Sequence, residues 1–298
     1  MAIRLHCFGA STPSGQALLE LATVDLVGYS RTASLESWLH QADLNDPIDF
    51  GPVGGFDCPG IWISFAPIWL FAPFLEQLAL NYPERLQGLR GVIACSSSSS
   101  ITKRFAANRY DRQLVSSLIT AEDQLLMTCR QLSVPCRILR PTLIYGQAGD
   151  LSDRNLSRLL QLMRHLPFLP LPSITGLRQP IHASQLAAVV LELAYQLGGH
   201  GWSVDLPERI TLGGDTELSY KDMLRSLQLA QPPEDPSRRC ILLPIPNRFF
   251  FALAMPLMVV SPKSFEAVLR IGSDLAGFTP AYMLLGKPKR SFPILPLS

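Results

Sequence analysis

Gly9 and Gly15 lie six residues apart, between an apolar run (HCF, 6–8) and a helix-like run (QALLELA, 16–22). Glycine at those places suits a tight turn opening into a helix, whose free N–H groups and dipole attract phosphate. Thr12 occupies the middle position, where a third glycine would let a pyrophosphate come close to the backbone. Its Cβ narrows that approach, and its hydroxyl is able to hydrogen-bond a phosphate. Pro13 and Ser14 are both good residues for a helix start.

The next apolar run ends in GYSRTAS (28–34). An acid there would take a ribose 2′-hydroxyl, but the position offers Ser30 and Arg31, and Asp25 sits at the wrong end of the run. A cation beside a small hydroxyl suits a 2′-phosphate, so NADP(H) is expected over NAD(H). The alternative is a solvated surface arginine. Asp43 and Leu44 would lie near an adenine ring.

Those residues need a parallel sheet to position them. Strand-like pieces at 3–8, 24–30, 60–66, 89–97 and 136–146 alternate with helix-like pieces at 15–22, 33–41, 68–82 and 111–132. Such alternation implies parallel strands with right-handed crossovers and ligands at their carboxyl ends. Gly9, Ser30, Ser64 and Ser96 to Ser100 fall at those ends. After 150 the pattern loosens and proline rises, with pieces at 184–197, 209–214, 219–229, 238–246, 247–257 and 262–275. The expected fold is α/β, a Rossmann-like doubly wound sheet over 1–150. A smaller C-terminal substrate lobe over 151–298 is interleaved with the last strands.

The 298 residues are 47% apolar and 17% charged, enough to bury a large core, with a formal net charge of +2. Mean hydropathy is +0.19. That charge, with no run of five Lys/Arg, argues against nucleic acid. The six cysteines (7, 58, 95, 129, 136, 240) make no C-x-x-C, and no Cys/His pair has zinc spacing, so no metal is expected. Arg4 is the single Lys/Arg before Gly9 and no long apolar stretch comes before that glycine, so no signal-like segment is read and a reduced, cytoplasmic setting is expected. The apolar stretches 61–75 and 249–260 are broken by Pro67, Pro73 and Pro256 and are too short to span a bilayer. Both read as buried core, with peripheral membrane contact or a homodimer interface as alternatives. No G-x-S-x-G, H-E-x-x-H or P-loop motif occurs, which excludes the common hydrolase and P-loop classes.

The chain resembles the extended short-chain dehydrogenase/reductases, the NAD-dependent epimerase/dehydratase group, in an atypical form. FGASTPSG (8–15), GYSR (28–31), ADL (42–44), SSSSSITK (96–103), AEDQLL (121–126), LRPTLIYG (139–146), RQPIH (178–182) and LLGKPKRSFP (284–293) carry the likeness. The resemblance implies an NAD(P)-binding domain with a lobe over a small-molecule substrate. It puts Ser98 at the substrate oxygen, Pro141 and Thr142 near the nicotinamide, and Arg178 and His182 in or under the substrate pocket. The cofactor-binding set is then Gly9, Ser11, Thr12, Pro13, Gly15, Ser30, Arg31, Asp43, Leu44, Ser64, Ala66, Pro141 and Thr142. Asn155 joins Arg178 and His182 on the substrate side.

The catalytic centre departs from the group. Its Tyr-x-x-x-Lys pair works because lysine one turn on lowers the phenol pKa and holds the ribose. None of the seven tyrosines has lysine at i+4, and counting back from Glu122 puts the pair on Leu114 and Leu118. Lys103, Tyr110 and Tyr145 are the substitute candidates, each set against a plain structural role. His182 reads more readily as a satisfied, partly buried histidine than as a base. Three functions remain open: an oxidoreductase or epimerase with non-standard acid/base groups, a non-catalytic NADP(H)-binding sensor, assembly or structural protein, or a scaffold whose cofactor site is lost.

Overall fold

A computed structural model describes residues 4–32, 36–48, 50–51, 60–153, 155–199 and 206–295. Its centre is an eight-stranded sheet. The strands are β1 (Arg4–Phe8), β2 (Leu26–Ser30), β3 (Leu39–Gln41), β4 (Gly60–Ser64), β5 (Leu89–Cys95), β6 (Cys136–Pro141), β7 (Arg209–Gly213) and β8 (Thr279–Pro280). The order across the sheet is β8-β7-β6-β5-β4-β1-β2-β3, and every pairing is parallel. β1 is the point where the order reverses, so the crevice for a ligand opens between the exits of β1 and β4.

Helices cover both faces, which is why β2 and β4 are buried at every residue. On one face α1 (Pro13–Leu21) packs against a later helix, Ala183–Gly199, over Leu5, Ile61, Ile93 and Leu139. On the other, α2 (Ile68–Asn81) packs against a third helix, Arg109–Gln131, over Phe8, Trp62, Val92 and Ile138. Pro73 lies inside α2, as its sequence requires. The stretch 61–75 is core: Ile61, Ile63, Phe71, Phe74 and Leu75 are fully buried.

Three expectations change. The helix expected over 33–41 is not formed by its described part: Leu39–Gln41 is edge strand β3, and 33–35 lie outside the described residues. Trp38 drives this. Its carbonyl accepts the Gly28 amide at 2.7 Å, and its ring lies where a Cβ on Gly28 would stand. Pairing with β2 therefore overrides local helix propensity. The helix at 247–257 breaks at Pro256 into Asn247–Ala254 and Leu257–Val260. The stretch 249–260 is not core, because only Ala254 within it is buried.

The remaining elements stand over the carboxyl edge. They include helices Leu156–His165 and Tyr220–Ala230 and the strand pair Phe168–Pro172 with Ile241–Ile245. Their own small core contains Leu156, Leu160, Met163, Met223, Leu224 and Leu227.

Candidate functional site

The turn after β1 is built on Gly9, whose φ is +77°. A Cβ there would stand 2.6 Å from the Ala66 amide nitrogen, so the loop can close onto the β4 exit only with glycine. Gly15 is packed equally hard, its missing Cβ falling 2.6 Å from the Ala10 carbonyl oxygen. Thr12 is the N-cap of α1. Its Oγ1 accepts from the Gly15 amide at 3.1 Å and donates to the Gly9 carbonyl at 2.8 Å. The hydroxyl therefore braces the turn. The amides of Ser11 and Ser14 make no hydrogen bond among the described residues, and both line the groove beyond.

Three cavities run along the carboxyl edge and share walls. The first, about 430 Å³, is lined by Gly9, Ser11, Thr12, Ser30, Arg31, Asp43, Leu44 and Ala66 among others. Ser30 Oγ is turned inward, donating to the Thr32 carbonyl at 2.5 Å. Asp43 accepts the Asn45 amide at 2.9 Å and its side-chain amide at 3.0 Å. These bonds, with Arg31 nearby, hold its carboxyl below the usual carboxylate range.

The second cavity, about 530 Å³, shares Ser11, Thr12, Ala66 and Pro67 with the first and adds Pro13, Ser14, Trp69, Ser96, Ser97, Leu118 and Asn155. Leu118 thus forms part of the wall. Ser64 Oγ, at the β4 exit, is buried with no hydrogen-bond partner among the described residues. Behind the wall lies a fully buried carboxylate, Glu122. It accepts from Ser96 Oγ at 2.5 Å, from Arg140 Nε at 3.0 Å and from Arg209 Nε at 3.1 Å.

The third cavity, about 550 Å³, shares Asn155 with the second. Ser98, Thr102, Thr142, Gln179 and Tyr220 supply polar groups, and Leu143, Leu159, Leu162, Leu275 and Phe278 supply an apolar wall. Arg158 and Arg178 bring positive charge, with no carboxylate in the lining. Arg178 is mostly spoken for: it donates to the carbonyls of Leu177 and Ser273 at 2.7 Å and Arg270 at 2.5 Å. Thr142 Oγ1 donates to the Gln179 carbonyl at 2.5 Å.

Two substitute acid/base candidates have other partners. Lys103 Nζ is ion-paired with Asp111 at 2.8 Å, and Arg270 holds the other Asp111 oxygen at 2.8 Å. Tyr145 is buried off the three cavities. Its phenol accepts the Ile294 amide at 2.9 Å, and its ring packs edge-on to His182 and Phe292. Burial pushes its pKa up to about 12. His182 is buried beside it, with Nδ1 2.8 Å from Ser184 Oγ, and lines none of the three cavities. Pro141 is the buried last residue of β6. Tyr110 is an exposed residue in the first turn of its helix.

Tyr220 is the residue that sequence reading missed. It starts its helix behind the N-cap Ser219, lines the third cavity, and its hydroxyl has no hydrogen-bond partner among the described residues. Burial raises its pKa, and Arg178, with its guanidinium carbon 5.1 Å from the ring centre, opposes the rise. The signal was the capping pattern Ser219-x-x-Asp222, which fixes Tyr220 as a first-turn residue without saying what it faces.

No protein-family model matches the sequence, and no curated protein sequence does. Solved structures match the fold over nearly the whole chain. UDP-N-acetylglucosamine 4-epimerase from Bacillus cereus superposes with a TM-score of 0.61 at 14% identity, covering 97% of this chain and 95% of that one. Yeast methylglyoxal/isovaleraldehyde reductase Gre2, complexed with NADPH, gives 0.64 at 14%, again over 97% and 95%. UDP-glucuronic acid 4-epimerase from Bacillus cereus, in complex with NAD, gives 0.54 at 14% over 82% and 88%. At these identities the likeness is one of fold. The architecture is the Rossmann-like α/β fold that these epimerase and reductase structures share.

Proposed function

We propose that the chain binds a nicotinamide dinucleotide along the β1–β4 crevice, with NADP(H) favoured over NAD(H). In this reading it is an oxidoreductase of the epimerase, dehydratase or reductase type with non-standard acid/base groups. The observation that carries it is the Gly9 turn, closed against Ala66 so tightly that a Cβ has no room, with two amides left to meet a phosphate. Gly9, Ser11, Thr12, Pro13 and Gly15 would hold the pyrophosphate. Ser30, Arg31, Asp43 and Leu44 would surround the adenosine, with Arg31 the cation for a 2′-phosphate. Ser64, Ala66, Pro141 and Thr142 belong to the nicotinamide side. In a reducing cytoplasm, the compartment we assign, Cys7, Cys95, Cys129, Cys136 and Cys240 remain the free thiols seen here.

A bound nicotinamide would supply hydride chemistry. The chain supplies orientation, exclusion of water and a proton. Ser98 would hydrogen-bond the substrate oxygen. The resemblance puts the usual pair at Leu114 and Leu118, so in this reading the proton comes from elsewhere. Leu118 lines the second cavity, and Tyr220 is a phenol lining the third, which we take as the substrate cavity. A phenol carries its proton at neutral pH and can donate it to a carbonyl oxygen during reduction, while burial, which raises the Tyr220 pKa, makes it a weaker acid than a free phenol. The apolar wall with Arg158 and Arg178 favours a substrate with an apolar body and a polar or anionic end, held near Asn155.

The test is NADPH oxidation with a panel of apolar aldehydes and ketones, beside cofactor binding by the same variants. Turnover lost in Ser98→Ala and Tyr220→Phe, with cofactor binding kept, supports the assignment. Turnover indifferent to both substitutions removes it. Tight binding with no turnover on any carbonyl favours the non-catalytic NADP(H)-binding alternative, which Leu118 motivates.

A further inference from the structure

We infer that Asn247–Val260 docks the protein onto an anionic membrane surface, lying in the interface and not crossing it. The segment is apolar yet almost uncovered. Across the consecutive helices Asn247–Ala254, Leu257–Val260 and Pro262–Leu269, the one buried residue is Ala254. Phe249 is 67% exposed and Leu253 74%, one turn apart on the same helix face, and Val259 and Val260 are each 82% exposed. Folding leaves this surface in water, and a contiguous apolar patch of this kind marks a binding face.

Charge identifies the occupant. Residues 247–265 carry Arg248 and Lys263, both exposed, and no carboxylate. The next acid, Glu266, is turned away: it accepts the Asn108 amide at 2.5 Å and pairs with Arg270 at 3.5 Å. Apolar side chains beside cations of one sign match the acyl boundary and the anionic headgroups of a bilayer. A second copy seated on the same face would set these cations against themselves, which disfavours a symmetric dimer there. Spanning is excluded for this segment by its breaks at Pro246, Pro256 and Pro262, and no described helix is long and apolar enough to cross a membrane.

The opposite side of the first helix packs toward the wall of the third cavity. The Phe251 ring lies 3.1 Å from the position a Cβ on Gly272 would take, and the turn holding Gly272 gives the Arg270 carbonyl to Arg178 of the cavity wall. Docking would bring that wall toward the lipid surface, although the docking inference stands without the cofactor reading.

Flotation with vesicles of phosphatidylcholine, with and without about one-third phosphatidylglycerol, tests the inference. The full chain should float with the anionic vesicles. Leu253→Asp with Val259→Asp, and separately Arg248→Glu with Lys263→Glu, should each weaken binding roughly tenfold or more. All four positions are exposed, and an unchanged melting temperature verifies folding. Wild-type protein that stays unbound, or variants that bind as well as wild type, overturns the inference. So does sedimentation showing a vesicle-free dimer that Leu253→Asp with Val259→Asp dissociates, with no vesicle binding, since the face would then be a subunit interface.

Discussion

Thr12 Oγ1 takes the Gly15 amide at 3.1 Å, so the threonine that displaces a middle glycine also ties together the two ends of the turn. Its second bond, to the Gly9 carbonyl, closes the loop from within. Thr12→Ala should therefore lower stability by about 1 kcal/mol, the usual cost of a lost N-cap, and Thr12→Gly by only a few tenths. Urea denaturation of the two variants checks the order. If Thr12→Ala is as stable as wild type, the hydroxyl does not brace the turn.

Gly9→Ala brings a Cβ into the Phe65–Ala66 backbone and into a φ of +77° that alanine rarely adopts. A loss of about 1–3 kcal/mol is expected from the strained backbone alone. The larger effect should be on dinucleotide binding, because the loop has to open to admit the methyl group. A variant that keeps both stability and cofactor binding would show that the turn is not the cradle.

Glu122 is buried between Arg140, Arg209 and Ser96, with Arg209 also reaching Asp123. Removing the carboxylate leaves cations without their counter-charge, so Glu122→Ala should cost about 3–5 kcal/mol. Thermal or urea unfolding measures it. A loss below about 1 kcal/mol would mean that solvent already screens this network.

Acid should destabilise the protein in two windows. His6 is buried on β1, and burial pushes its pKa down to about 4 from 6.5. The unfolded chain binds that proton first, so its contribution is complete above pH ~6.5 and lost as pH falls toward ~4. A displacement of that size is worth roughly 3 kcal/mol. Asp111 behaves differently: burial opposes its ionisation, but bonds from Lys103, Asn108 and Arg270 outweigh it and hold the carboxyl far below the usual range. Its contribution is present above the unfolded value of ~3.9 and is lost only below it. Stability measured from pH 7 to 3 should therefore fall early in wild type, and Asp111→Asn should flatten only the lower window.

Local pattern in the sequence was enough for the inner strands of the sheet and for the glycine turn, because each is set by spacing within one or two elements. The partners of Thr12 were not legible, since they exist only once the turn is closed. Lys103 stood as a substitute acid/base candidate because the sequence does not show that the turn before its neighbouring helix brings Asp111 onto its ammonium. Strand β3 read as helix because Trp38 meets Gly28 only in three dimensions. The stretch 249–260 read as core because apolarity alone does not reveal whether anything packs over it.

The central claim is that the Gly9 turn cradles a nicotinamide dinucleotide with Arg31 on the 2′-phosphate. Titration calorimetry of NADPH and NADH into wild type and Arg31→Ala tests it most directly. The account predicts tighter binding of NADPH than of NADH, and loss of that preference, by about tenfold, in Arg31→Ala. Binding of neither nucleotide would contradict the cradle, and an NADPH preference untouched by Arg31→Ala would contradict the role of Arg31.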